Sequence, residues 1–199
     1  SAKEAYAIGK QLGKKVILLA TSTGGTIALK LAAEYPDIAG VILYSPNIAI
    51  NDSRAWMLNN PWGKQIAELI KGKYVHVADT TALYARYWDN KYRIEATVQL
   101  EELLETTMKE STFSKIHQPA LLLYYYKDDE HQDPVVKVSA MKRMFAQLST
   151  PDSLKRAVAI PNAGDHVLGS YVKSKDIPKV EEETEKFAEE VLKMQAIRQ

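Results

Sequence analysis

Residues 16–25 constrain the fold of this chain more tightly than any other stretch. Val16, Ile17, Leu18, Leu19 and Ala20 form an unbroken apolar run, the composition of a short strand buried on both faces. Thr21, Ser22, Thr23, Gly24 and Gly25 then lead straight into an Ala-rich stretch, residues 26–33, of helical composition. A strand that becomes a helix over so few residues must turn sharply. Small residues at positions 20 and 24 let the turn close, and the residue at its tip, Ser22, is forced into a strained backbone conformation. Its hydroxyl projects above the sheet, next to helix N–H groups that lack intrahelical acceptors and can receive negative charge. The residues alone support two readings: Ser22 as a nucleophile beside an oxyanion donor, or Ser22 and Thr23 as plain helix caps. Neither Gly-x-Gly-x-x-Gly nor a Gly-Lys-Ser/Thr ending is present, which argues against a phosphate-cradling loop.

The rest of the chain alternates in the same way. A helix is predicted over Ala2–Leu12, stopped by Gly13, then the strand 16–20, a helix over 25–35 stopped by Pro36, and a buried strand over 41–44. After an interruption come a strand over 120–126, a helix over 134–148 and a strand over 154–160. A final amphipathic helix over 179–194 carries Val180, Phe187, Val191 and Met194 on its apolar side. Strands alternating with helices imply a parallel sheet built from right-handed crossovers. Residues 1–46 and 117–199 therefore read as an α/β core and 47–116 as an insertion, which holds all three tryptophans and helical segments at 63–70 and 96–109.

Composition closes off several alternatives. With 199 residues, 46% of them hydrophobic, the chain fits one domain with a substantial core. The 26 basic and 25 acidic residues are spread throughout, with no basic stripe for a nucleic acid. Cysteine is absent, which excludes disulfides, thiolate metal sites and a cysteine nucleophile. The four histidines include no His-x-x-x-His pair, so no metal is expected, and no apolar run is long enough to span a bilayer or reads as a signal peptide.

In a parallel sheet, ligands bind outside the carboxyl ends of the strands. The first strand ends at Ser22 and the second at Ser45, Pro46 and Asn47. The third runs into a loop with Asp128, Asp129, Glu130, His131 and Asp133, and the fourth into Gly164, Asp165 and His166. A serine, a group of carboxylates and a histidine thus fall on one edge, in the order Ser, Asp, His.

These residues carry a family resemblance. From Ala2 onward the chain resembles the second half of an α/β-hydrolase of the lipase, esterase or lysophospholipase type. Residues 20–24 are similar to that family's Gly-x-Ser-x-Gly nucleophile elbow, with Ala20 at the first glycine. The resemblance implies a three-layer αβα fold around a parallel sheet, with the N-terminal strands missing and a mainly helical lid over 47–116. It implies Ser22 as nucleophile, His166 as general base, the Thr23 N–H as oxyanion donor, and Asp133 as the acid. Asp133–Pro134–Val135–Val136 matches the Asp-x-hydrophobic-Val that follows the corresponding strand of the family. Asp128 and Asp129 stay open as alternatives, and Asp133 also fits a simple cap before Pro134. His131 reads as a solvated loop residue; His76 and His117 lie far from the active edge. Trp56, Trp62, Tyr84, Tyr87, Trp88 and Tyr92 would wall an acyl or aryl pocket, or form the lid's own core.

The implied activity is cleavage of carboxylic esters through an acyl-enzyme, with a small-molecule ester or lipid as substrate and no cofactor. Thioesterase, amidase or acyltransferase chemistry would use the same residues, and a non-catalytic binding domain on the same fold is the alternative from another class. The family normally begins with about four further strands, so on the order of 70–100 residues of the fold are expected to be missing. Strand 16–20 then becomes an apolar edge, expected to self-associate or to dock an N-terminal segment.

Overall fold

A computed structural model describes residues 1–77 and 81–195; of the insertion read over 47–116, residues 78–80 lie outside the described residues. Four parallel strands form the main sheet: β1 (Ile17–Thr21), β2 (Gly40–Tyr44), and, beyond the insertion, β5 (Ala120–Tyr124) and β6 (Lys155–Ala159), in the order β1-β2-β5-β6. β2 and β5 are central, and every one of their residues is buried. Their side chains alternate between two cores, as the two-residue period of a strand requires. Val41, Leu43, Ala120 and Leu122 face one core, shared with helices α1 (Ala2–Leu12), α2 (Thr23–Glu34) and α6 (Val138–Ala146). Ile42, Tyr44, Leu121 and Leu123 face the other, closed by Val180 and Phe187 of α7 (Ile177–Glu190). Burying each such leucine stabilises the fold by about 1.5–3 kcal/mol, so this pair of strands anchors all three layers.

The outer strands differ. β6 carries Lys155 and Arg156, charges that discourage further pairing. β1 carries no charge, and its Leu19 is 57% exposed. The structure thus places the first strand at one end of the sheet.

Helix bounds follow local chemistry. α2 opens at Ser22 and ends at Glu34, just before Tyr35 and Pro36, where proline disfavours helical geometry in the residue preceding it. α7 starts with Pro178 in its first turn, and the Asp176 side chain accepts the Lys179 N–H. The helix predicted over 134–148 instead begins at Val138. Asp133 Oδ1 takes the N–H groups of Val135 and Val136, and residues 135–137 pair with the chain around residues 49–51 through Asn51 N–H to Val135 O, Lys137 N–H to Ala49 O and the Ile50–Val136 bridge.

Between β2 and β5 lie a 3₁₀ turn at Ala55–Asn59, helices α3 (Gly63–Lys71), α4 (Ile94–Thr107) and α5 (Glu110–Phe113), and a second 3₁₀ turn at Tyr84–Arg86. A two-stranded antiparallel ribbon also crosses this segment: β3 (Tyr74–His76) pairs with β4 (Lys91–Arg93). It was not expected from the sequence, because three-residue strands are too short to show a period of two.

Candidate active site

The turn between β1 and α2 holds Ser22 at φ 54 and ψ −124. Such left-handed geometry in a non-glycine residue costs on the order of 1–3 kcal/mol, which the surrounding hydrogen bonds offset. Ser22 N–H donates to Tyr44 O at 3.0 Å, while Ser22 O accepts from Gly25 N–H at 2.8 Å and Asn47 N–H at 2.9 Å. The tip of the turn is thereby tied to the end of β2. Gly25 permits this approach: a Cβ there would lie 2.6 Å from Pro46 Cβ. A Cβ at Gly24 would lie 3.7 Å from Ala20 Cβ, an ordinary contact, so alanine at position 20 is accommodated without displacing the turn. Thr23 opens α2, where the first N–H groups have no intrahelical acceptor.

Asp133 follows β5 and is fully buried; His166 follows β6 and is 7% exposed. His166 Nδ1 lies 2.7 Å from Asp133 Oδ2. A carboxylate can only accept, so Nδ1 carries a proton, and in the neutral imidazole the lone pair is then on Nε2. That Nε2 is buried and has no hydrogen-bond partner. The other oxygen of Asp133 is the one taken up by Val135 and Val136, so the residue is both a turn cap and the partner of His166. Asp128 and Asp129 do not reach His166: Asp128 binds His131 Nδ1 at 2.8 Å, and Asp129 accepts from Tyr126 OH at 2.9 Å, both in an exposed loop. His76 and His117 are exposed.

Ser22 and His166 line one cavity of about 690 Å³. Of the aromatics expected to wall it, Tyr84 and Trp88 do so, stacked with ring centroids 5.1 Å apart. Trp56 and Trp62 do not: they are 61% and 73% exposed, held on the solvent side of the first 3₁₀ turn and of the α3 N-terminus. Tyr87 points away from the cavity lining to Tyr171, their hydroxyls 2.5 Å apart, and Tyr92 lines a different cavity. Residues given no pocket role from the sequence complete the wall, notably Tyr44, Val135, Val167, Gly169 and Lys173. Gly169 lets the loop lie against the Tyr44 ring, where a Cβ would sit at 3.2 Å, and Lys173 Nζ stands 4.8 Å from the Tyr84 ring centre. Only the position of this loop directly after His166 could have signalled it. Among the described residues no group of three or more His, Asp and Glu could hold a metal ion, and no helix is long and apolar enough to cross a membrane.

A sequence model of the family described as serine aminopeptidase, S33, matches residues 4–163. The chain belongs to this family of α/β-hydrolases. Solved structures of low identity share the fold. A monoacylglycerol lipase from Paleococcus ferrophilus is 18% identical, with a TM-score of 0.66 over 92% of this chain and 71% of its own. A soluble variant of the monoglyceride lipase from Saccharomyces cerevisiae, solved with a substrate analog, is 13% identical with a TM-score of 0.65, over 94% of this chain and 65% of its own. Est1E from Butyrivibrio proteoclasticus, solved with ferulic acid bound, is 19% identical with a TM-score of 0.58, over 97% of this chain and 66% of its own. The α/β-hydrolase chain described here therefore spans about two-thirds to seven-tenths of these proteins. No curated protein sequence matches it.

Proposed function

We propose that this S33-family chain carries the reacting residues of a serine hydrolase that cleaves carboxylic esters through an acyl-enzyme, and that residues 47–116 act as its lid. The buried His166–Asp133 pair, with Nε2 unpartnered and His166 lining the same cavity as the strained Ser22, is the observation that carries the reading. Ser22 Oγ attacks the ester carbonyl carbon while its proton passes to His166 Nε2. Asp133 keeps the imidazole in the accepting tautomer and stabilises the imidazolium. The carbonyl oxygen becomes an oxyanion at the Thr23 N–H, at the positive end of α2. Collapse expels the alcohol, protonated by His166, and water then repeats the sequence to release the acid and restore Ser22.

Tyr84 and Trp88 bring the lid into the cavity wall, and the Tyr87–Tyr171 contact joins it to the loop after His166. The apolar cavity suits an acyl or aryl chain. The monoacylglycerol and monoglyceride lipases of the same fold support esters as substrates. The family description favours a second reading, hydrolysis of an amide or peptide by the same residues. A free amino terminus would need an unbalanced carboxylate in the cavity, whereas Asp165 and Lys173 both line it with opposite charge. A fluorophosphonate probe tests the reading: it should label the protein, and Ser22→Ala should abolish the label. Unlabelled wild type, or label that survives the substitution, would leave a binding domain on a hydrolase fold. Turnover of p-nitrophenyl esters against aminoacyl p-nitroanilides then separates ester from amide.

A further inference from the structure

A second cavity, of about 320 Å³, lies wholly within the segment between β2 and β5 and shares no lining residue with the Ser22 cavity. Val77 lines the cavity at Ser22, whereas Val75 and Tyr92, paired across the β3–β4 ribbon, line the second.

Local packing leaves this space open. Gly63 seats the start of α3 against the preceding 3₁₀ turn, so closely that a Cβ would fall 2.1 Å from Met57 O. One turn further on, the α3 residue facing the space is the small Ala67, flanked by Ile66 and Ile70. These isoleucines and Met57 are 41%, 72% and 38% exposed although they line a concave surface. Apolar side chains around a cavity of this size are the usual composition of a small-molecule site, and covering them with another apolar surface is favourable.

Two polar features select the ligand. Thr97 Oγ1, in the first turn of α4, is buried, lines the cavity and has no partner, whereas Thr106 and Thr107 of the same helix bond back to Glu102 O and Leu103 O. At the rim, Arg54 is paired with Asp52 and, with a smaller contribution from the nearby Lys71 charge, holds its carboxyl down to about 2, so the Asp52–Arg54 pair is ionised and neutral overall. Lys71 remains as an exposed cation with no ion pair among the described residues. The Lys71 ammonium can only donate and calls for an acceptor, the Thr97 hydroxyl can donate to a polar group that enters the cavity, and the rim carries a net positive charge.

From this combination we propose that the second cavity binds the anion of a medium-chain carboxylic acid, its single alkyl chain along Ile66, Ala67 and Ile70 and its carboxylate at Lys71. The volume, at the small end of ligand pockets, suits one unbranched chain. The site does not depend on the hydrolase reading, because none of its residues lies in the Ser22 cavity.

Dodecanoate below its micellar concentration is the probe, read by NMR of protein with ¹³C-labelled isoleucine methyls. The methyls of Ile66 and Ile70 should shift saturably with one equivalent bound while Ile160, in the core, stays still. The same shifts should appear in Ser22→Ala. Lys71→Glu, an exposed change, should weaken binding at least tenfold, and dodecyltrimethylammonium should bind at least tenfold more weakly than dodecanoate. Ala67→Phe, which fills the cavity, should abolish the shifts. Equal binding of the cationic amphiphile, unchanged affinity in Lys71→Glu, or no saturable shift at Ile66 and Ile70 would each overturn the proposal. So would shifts produced only by phosphatidylglycerol vesicles, which would make the surface a membrane contact. No arm reads turnover, so failure here leaves the hydrolase reading untouched.

Discussion

Asp133→Asn separates the proposed catalytic role of Asp133 from its role in the turn. Oδ1 accepts two backbone N–H groups, from Val135 at 2.9 Å and Val136 at 3.0 Å, and Oδ2 faces His166 Nδ1 at 2.7 Å. An asparagine has one acceptor oxygen. Turning its NH₂ toward the two N–H donors would lose both bonds, about 1 kcal/mol each and more when the donors are left buried and unpaired. Its oxygen therefore keeps the turn and its NH₂ faces His166 Nδ1. Nδ1 must then accept, the ring proton moves to Nε2, and the lone pair proposed to take the Ser22 proton is gone. A triad with its histidine in the wrong tautomer loses about 10⁴ in rate, equivalent to about 5 kcal/mol of transition-state stabilisation. Stability should fall far less, by about 1–2 kcal/mol, because shape and turn are preserved. The assay is the second-order rate of fluorophosphonate labelling alongside a thermal melt. A rate within tenfold of wild type would refute the reasoning and leave Asp133 as a turn cap. Asp128→Asn and Asp129→Asn should label at near wild-type rates, since their carboxylates are engaged with His131 and Tyr126.

Three further outcomes are expected. Burial, reinforced by Glu105 and opposed by Lys137, raises the Glu101 carboxyl above its ordinary value, and its Oε2 has no partner. The ionised form therefore subtracts stability above the folded-state pKa, and the penalty vanishes below the unfolded value of about 4.3. Glu101→Gln should raise stability at pH 8 by on the order of 1 kcal/mol, seen as a higher melting temperature, and lose that gain near pH 4; an equal gain at both would exclude the charge as cause. Gly25→Ala should destabilise by about 1–3 kcal/mol, because the new Cβ meets Pro46 at 2.6 Å, whereas Gly24→Ala should be neutral or slightly stabilising. Denaturant titration checks both, and equal effects would refute the packing argument. The uncharged outer edge of β1 should draw two copies of the chain together, giving a concentration-dependent mass by light scattering that Leu19→Lys lowers; a monomer at high concentration would refute it.

Much of the architecture was legible because it depends on local pattern. The apolar runs at 16–20, 41–44 and 120–126 and their alternation with helices announce a parallel sheet, whose strands read as near-continuous hydrophobic segments, the outer strand β1 included. The turn at Ser22 was legible for the same reason: its small residues sit next to one another in sequence. Ser22, Asp133 and His166 were proposed from strand ends and a family resemblance; the Asp133–Pro134–Val135–Val136 match favoured Asp133, but the residues alone left Asp128 and Asp129 open as partners of the imidazole. Asp128, Asp129 and Asp133 lie within six residues. The choice falls to Asp133 because the loop turns back on itself through Tyr126–Gln132 and directs the first two outward. The segment between β2 and β5 was least legible. Its strands are three residues long, and whether an aromatic lines a cavity, as Tyr84 and Trp88 do, or faces water, as Trp56 and Trp62 do, depends on contacts made far along the chain. Sequence alone determined the layers and the edge where chemistry gathers, because periodicity and turn residues act over a few positions. Only the tertiary structure decided the Asp133–His166 pairing and the two cavities, because those depend on distances between residues that the sequence keeps apart.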